Sequence, residues 1–220
     1  MQRTTSPDLI YADLAEIARA LGSGPRLLLL EHIAQGERPV ERLAELTGLS
    51  LANASQHLQV LRRAGFVQTR RDGKNVLYRV GSGPVIELVS ALRRYLEHSR
   101  SEMRQLISDD QAGQEGSSPM SRDELLQRME GGSVLLLDVR PSDEFRLGHL
   151  PGAMNMPLSE LERQLADLPK DHEIVAYCRG PYCVLSRDAL TLLHANGYRA
   201  RGLEDGFPEW RAAGLEVEAG

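Results

Sequence analysis

The chain has 220 residues, 26 Lys and Arg against 31 Asp and Glu, a net charge of −5 and two cysteines. A length of this order allows one or two modest hydrophobic cores. No apolar run approaches the ~20 residues that span a bilayer, residues 1–7 lack the basic-then-apolar pattern of a secretory signal, and two cysteines make no disulfide framework, so a cytoplasmic protein with no membrane partner is expected.

The net charge conceals a division. Residues 1–108 hold 15 Lys and Arg and 11 Asp and Glu, a balance of +4, whereas residues 109–220 hold 11 and 20, a balance of −9. A basic half joined to an acidic one suggests that only the first meets a polyanion. The stretch 109–119, with two Gly, two Ser and a Pro and almost nothing apolar, reads as a linker between domains at 1–108 and 120–217.

In chain order, residues 8–21 place Leu14, Ile17, Ala18 and Leu21 on one helical face and stop at Gly22. Pro25 suits the start of a second helix, 26–34, ended by Gly36, and Val40 to Leu46 forms a third. The turn Thr47-Gly48-Leu49 then leads to Ser50, a good N-cap for a fourth helix, Leu51 to Arg63. Two short helices joined by a tight glycine-bearing turn form a helix-turn-helix. On the fourth helix Leu51, Ala54, Leu58 and Leu61 make the inward stripe, while Ala52, Gln56, Gln59 and Arg63 face outward with Asn53 and His57 on the flank. Such a face suits a major groove, where amides bond base edges and arginine bonds guanine or phosphate; a plain solvated face is the alternative.

Residues 65–80 alternate as two strands around Asp72-Gly73, a hairpin signal, with Arg70, Arg71 and Lys74 near its tip. A basic hairpin after a recognition-type helix is a winged helix-turn-helix. The run Leu43-Ala-Glu-Leu-Thr-Gly-Leu-Ser-Leu-Ala-Asn-Ala-Ser-Gln-His-Leu-Gln-Val-Leu-Arg-Arg-Ala-Gly-Phe-Val67, with Arg71-Asp-Gly-Lys-Asn-Val-Leu-Tyr-Arg79, closely resembles the ArsR-type bacterial regulators over residues 10–108. The resemblance implies a homodimer on a palindromic double-stranded operator, with the long apolar pattern 85–107 packing against the partner's first helix. Metal-sensing members carry paired cysteines at the start of the third helix. Here that segment is Glu37-Arg-Pro-Val-Glu-Arg-Leu43, and the last helix offers only His98 and Glu102. A zinc site needs three or four converging ligands, so no metal is expected.

In the second half Val134 to Asp138 and Glu173 to Tyr177 read as buried strands, residues 158–168 and 185–196 as helices, and 198–203 as a further strand. Strands alternating with helices predict a parallel α/β sheet covered on both faces. The strand ending at Tyr177 runs into Cys178, then Arg179, Gly180, Pro181 and Tyr182, then Cys183 and Val184, where a helical pattern begins. A thiol at the carboxyl end of such a strand, facing a helix N-terminus, lies where open α/β sheets bind ligands, and the helix dipole and loop amides favour an anionic sulfur. The bland alternative is a pair of small buried hydrophobes.

Asp138-Val-Arg140, Glu144, Gly148-His-Leu-Pro-Gly-Ala-x-Asn-x-Pro157, Tyr177-Cys178 and Gly206-Phe-x-x-Trp210 together resemble a rhodanese domain over about residues 120–217. The resemblance implies a persulfide on Cys178 held by the amides of 179–183, with thiosulfate, a persulfide or a polysulfide as donor and no cofactor. Phosphatase and arsenate-reductase relatives of the fold need Cys-x5-Arg; the corresponding position here is Val184, and an oxyanion substrate is disfavoured. Cys183 is placed to attack the persulfide as a resolving thiol and close a disulfide, to carry a tetrasulfide-like bridge, or to pack inertly. Asp138 and Arg140 are expected to support the loop, and Arg179 to lower the thiol pKa, steer an anionic donor, or simply be solvated. A regulator whose operator affinity follows the sulfur state is the leading expectation. A sulfurtransferase with an autoregulatory DNA-binding half, or a carrier that delivers sulfur to a partner, are the others.

Overall fold

The computed structural model describes residues 7–107, 118–132, 134–180 and 183–219. Most of the expected linker, 109–117, lies outside them, as do Pro181 and Tyr182. The chain divides into two compact units, Met1–Val85 and Ile86–Gly220.

The first unit contains α1 (Pro7–Leu21), α2 (Gly24–Gln35), β1 (Arg38–Pro39), α3 (Val40–Thr47), α4 (Leu51–Arg63), β2 (Val67–Asp72) and β3 (Asn75–Val80). Each break has a local cause. Pro25 enters α2 at its first turn. Gly48, at φ 67°, closes α3 in the left-handed conformation that a side chain resists. Ser50 Oγ accepts from Asn53 N at 3.2 Å to start α4. The hairpin pairs Val67 with Val80 through Asp72 with Asn75, with Gly73 at φ 59° in the turn. β1 adds to the other side of β3, so the order is β1-β3-β2; two residues around a proline gave no strand signal. The core is built from Leu29, Leu30, Ile33, Leu43, Ala54, Leu58, Leu61, Phe66 and Val67. Leu51, expected in the inward stripe, is exposed instead: it is the first residue of α4, before the helix reaches the core.

The second unit opens with most of α5 (Val85–Ile107), followed by α6 (Arg122–Glu130), β4 (Val134–Asp138), α7 (Ser142–Phe145), β5 (Met154–Asn155), α8 (Leu158–Gln164), β6 (Glu173–Tyr177), α9 (Val184–Ala195), β7 (Ala200–Gly202) and α10 (Phe207–Ala212). The four strands are parallel in the order β5-β4-β6-β7. Alternation along the strands divides the core in two. Leu137, Ile174 and Cys178 join Leu161, Ala189 and Leu193 of α8 and α9 on one face. Leu136, Val175 and Tyr177 join Leu125, Phe207 and Trp210 of α6 and α10 on the other. Three local readings change. Helices α6 and α10 are additional, β7 is shorter than 198–203, and 158–168 splits into α8 and a short 3-10 turn at Leu165–Asp167.

Candidate functional site

β4 and β6 are neighbours in register, with Asp138 opposite Tyr177. The chain therefore leaves both strands at one edge, and Asp138-Val-Arg140 emerges beside Cys178, at the carboxyl end where α/β sheets take ligands. Cys178 and Cys183 are paired as a disulfide, with Cα atoms 6.2 Å apart, inside the span a disulfide accommodates. Cys178 is 1% exposed and belongs to the α8–α9 core, whereas Cys183 is half-buried and is the N-cap of α9. The dipole of α9 thus acts most directly on Cys183 rather than on Cys178, because α9 starts one residue after it. Of the expected amide cradle, Cys183 N already donates to Gly180 O at 3.1 Å. Val184 opens α9.

The loop is braced from several sides. Arg179 donates through Nε and Nη2 to the carboxylate of Glu144, at 2.7–3.1 Å. Glu144 is 1% exposed and Arg179 half-buried, so the arginine fork is committed to a part-buried ion pair that orients the first loop residue; no local pattern links positions 35 residues apart. Gly206 lies so close that a Cβ on it would meet Gly180 N at 2.3 Å, and Phe207 N donates to Cys178 O at 3.0 Å. The start of α10 is thereby pressed against the sulfur loop, and glycine is required for space at 206.

Asp138 and Arg140 form a second, fully buried pair. Arg140 Nη2 donates to Asp138 Oδ2 at 2.6 Å and to Gly148 O at 2.8 Å, and its guanidinium centre sits 4.3 Å from the Phe207 ring centroid. Both partners serve the wall behind the loop. Tyr177 Oη accepts from Leu150 N at 3.1 Å, and burial first, then the Asp138 carboxylate, push its titration well above the ordinary tyrosine range. His149 Nδ1 lies 3.0 Å from Phe145 O, and its backbone pairs with Glu218, a structural position.

In the first unit Ala52, Asn53, Gln56, Gln59 and Arg63 are exposed on α4, and His57 is half-buried. The wing cations are not equivalent. All three are exposed, but Arg70 also donates to Glu37 at 2.8 Å and lies 3.7 Å from Asp72. Glu37 stands at the end of β1's entry, a residue with no sequence link to the wing.

Two families match the chain. The bacterial regulatory protein arsR family matches residues 23–69, and the rhodanese-like domain matches residues 121–213. The HTH-type transcriptional regulator Rv0324 of Mycobacterium tuberculosis is 41% identical over 207 residues, which are 94% of this chain and 91% of that one. A sulfurtransferase of Allochromatium vinosum is 33% identical over 87 residues, 39% of this chain and 79% of that one. The solved homodimeric winged helix-turn-helix DNA-binding domain of a Mycobacterium bovis protein aligns at 34% identity and a TM-score of 0.40, covering 44% of this chain and 91% of that one.

Proposed function

The chain belongs to the arsR family of bacterial regulatory proteins and carries a rhodanese-like domain, and from that premise we propose that the sulfur state of its cysteine pair sets its affinity for DNA. It is a DNA-binding transcriptional regulator. The observation that carries the proposal is the pairing of Cys178 with Cys183 in a six-residue loop at the carboxyl edge of the sheet. Those are the chain's two cysteines, and they lie within reach of each other.

The reduced loop accepts sulfur in a balanced sequence. The Cys178 thiolate attacks the outer sulfur of thiosulfate; a Cys178–S bond forms, the donor's S–S bond breaks, and sulfite leaves with the bonding pair. A persulfide or polysulfide donor reacts alike, releasing a thiolate. The Cys183 thiolate then attacks the Cys178 sulfur, closes the disulfide and expels hydrosulfide. Two thiols are oxidised and the sulfane sulfur is reduced to sulfide, so no further oxidant is needed. The DNA-binding surface in this reading is the exposed α4 face with Arg71 and Lys74. A homodimer fits the apolar strips that α1 (Leu9, Ile10, Tyr11, Leu14, Ile17) and α5 (Leu88, Leu92, Tyr95, Leu96) each expose.

A second reading, sulfurtransferase catalysis, is favoured by the likeness to the Allochromatium enzyme. One experiment separates the two. Binding to the DNA upstream of the chain's own gene is measured with and without a persulfide donor, beside a donor-turnover assay on the same protein. The sensor reading expects donor-dependent binding that Cys178→Ser abolishes. Steady turnover with binding unmoved by the donor leaves the enzyme.

A further inference from the structure

Glu209, in the first turn of α10, uses both carboxylate oxygens. Oε2 accepts from Gly206 N at 3.1 Å, and Oε1 accepts from Ser90 Oγ at 2.5 Å. Ser90 is a residue of α5 and is 4% exposed. One turn further along α5, Arg93 reaches the loop itself: a Cβ on Gly180 would stand 3.0 Å from Arg93 Nη1 and 3.8 Å from Glu209 Oε1. At three residues apart, Ser90 and Arg93 share a face of the helix. Leu88, Leu92 and Tyr95 lie across the helix from them at 100° per residue and are exposed, Tyr95 by 73%. One face of α5 therefore rests on the sulfur loop and its α10 buttress while the other is apolar and open.

We propose that Glu209 is the positioning residue of the sulfur loop and, through Ser90, the tie that passes the loop's state into α5. The proposal rests on the sulfur-sensing reading above and names its route. Closing the Cys178–Cys183 bond joins the two ends of a loop whose middle residue, Gly180, abuts Gly206, Glu209 and Arg93. Opening that bond frees Cys183 and the start of α9, and the shift reaches Ser90 through a carboxylate that holds both α10 and α5. Packed interiors respond to such shifts as units rather than by gradual yielding. Helix α5 is continuous with Val85, the last residue of the first unit, so a change in α5 has a covalent path to the DNA-binding half as well as a direct effect on its own exposed strip.

The test is hydrogen–deuterium exchange on the full-length chain, with the pair bridged and with it reduced by dithiothreitol, which takes up the disulfide as its own cyclic disulfide. The readout is residues 86–96, in wild type, Ser90→Ala and Glu209→Gln, with sulfur loading at Cys178 followed by intact mass and operator binding measured in parallel. The expected result is a roughly fivefold or larger change in exchange over 86–96 on reduction of the wild type, at the low end of ordinary couplings. Ser90→Ala should abolish it while loading sulfur as the wild type does, and Glu209→Gln should reduce it. Wild-type exchange over 86–96 that is the same in both states overturns the tie, whatever DNA binding does. A change that both variants retain in full overturns Ser90 and Glu209 as its path. If the tie holds but operator affinity stays constant, the failure lies with the sensor reading.

Discussion

Cys178 and Cys183 differ in surroundings more than their spacing suggests: one is sealed in the α8–α9 core, the other is the half-buried cap of α9. Sulfur transfer to Cys178 therefore requires the reduced loop to expose it, so after reduction a short iodoacetamide pulse should label Cys178 as well as Cys183 in peptide mapping. Cys178 left unlabelled while Cys183 is fully alkylated would rule it out as the nucleophile. The ion pair behind the loop gives a sharper number. Asp138→Asn leaves the Arg140 guanidinium buried without its counter-charge, and removing one partner of such a pair costs about 3–5 kcal/mol, visible in urea unfolding. Tyr177→Phe leaves Leu150 N–H without an acceptor, at about 1–3 kcal/mol. Tyr177 also has a pH signature. Its hydroxyl titrates higher in the folded chain than in the unfolded one, where it ionises near ~10. That contribution is fully present below pH ~10 and is lost as the pH rises above it. An alkaline loss of stability in the wild type that is absent from Tyr177→Phe checks the sign.

Among the elements, the α4 helix and the wing make separable predictions. Gln56→Ala should relax preference at one base position by about 1–3 kcal/mol if its contact is bidentate, measured by competition between operator variants. Arg71→Ala should weaken all sequences alike and lower the salt slope by about 1. Arg70, held by Glu37 at 2.8 Å, should change the slope less than Arg71; equal effects would show that the ion pair opens on DNA. Helices α2, α3, α4 and α5 and the hairpin were legible because their caps, glycines and periodicity are local. Helix α6 was not, since Arg122–Glu130 offers only Leu125, Leu126 and Met129 as apolar residues. The thiol loop was legible for the same reason of locality. Its supports, Glu144 on Arg179 and Glu209 on Ser90, join residues 35 and 119 positions apart, and no short-range pattern encodes such contacts.

For the whole molecule, α1 and α5 each leave an apolar strip uncovered, with Tyr11 71% and Tyr95 73% exposed. Under the homodimer reading, Leu92→Asp should shift the chain to monomer in analytical ultracentrifugation and reduce operator affinity with it, since two half-sites need two recognition helices; a monomeric variant with wild-type affinity contradicts that reading. The division of charge, basic up to residue 108 and acidic beyond, suits a chain in which only the first half meets DNA. Whether the state of the Cys178–Cys183 pair sets DNA affinity is tested by operator binding across a series of thiol–disulfide ratios, with the bridged fraction read by intact mass on the same samples. The dissociation constant should move in step with the bridged fraction, by about 5-fold or more between the extremes, and Cys178→Ser should stay flat throughout. A dissociation constant unchanged from the fully reduced to the fully bridged wild type would contradict the sensor reading.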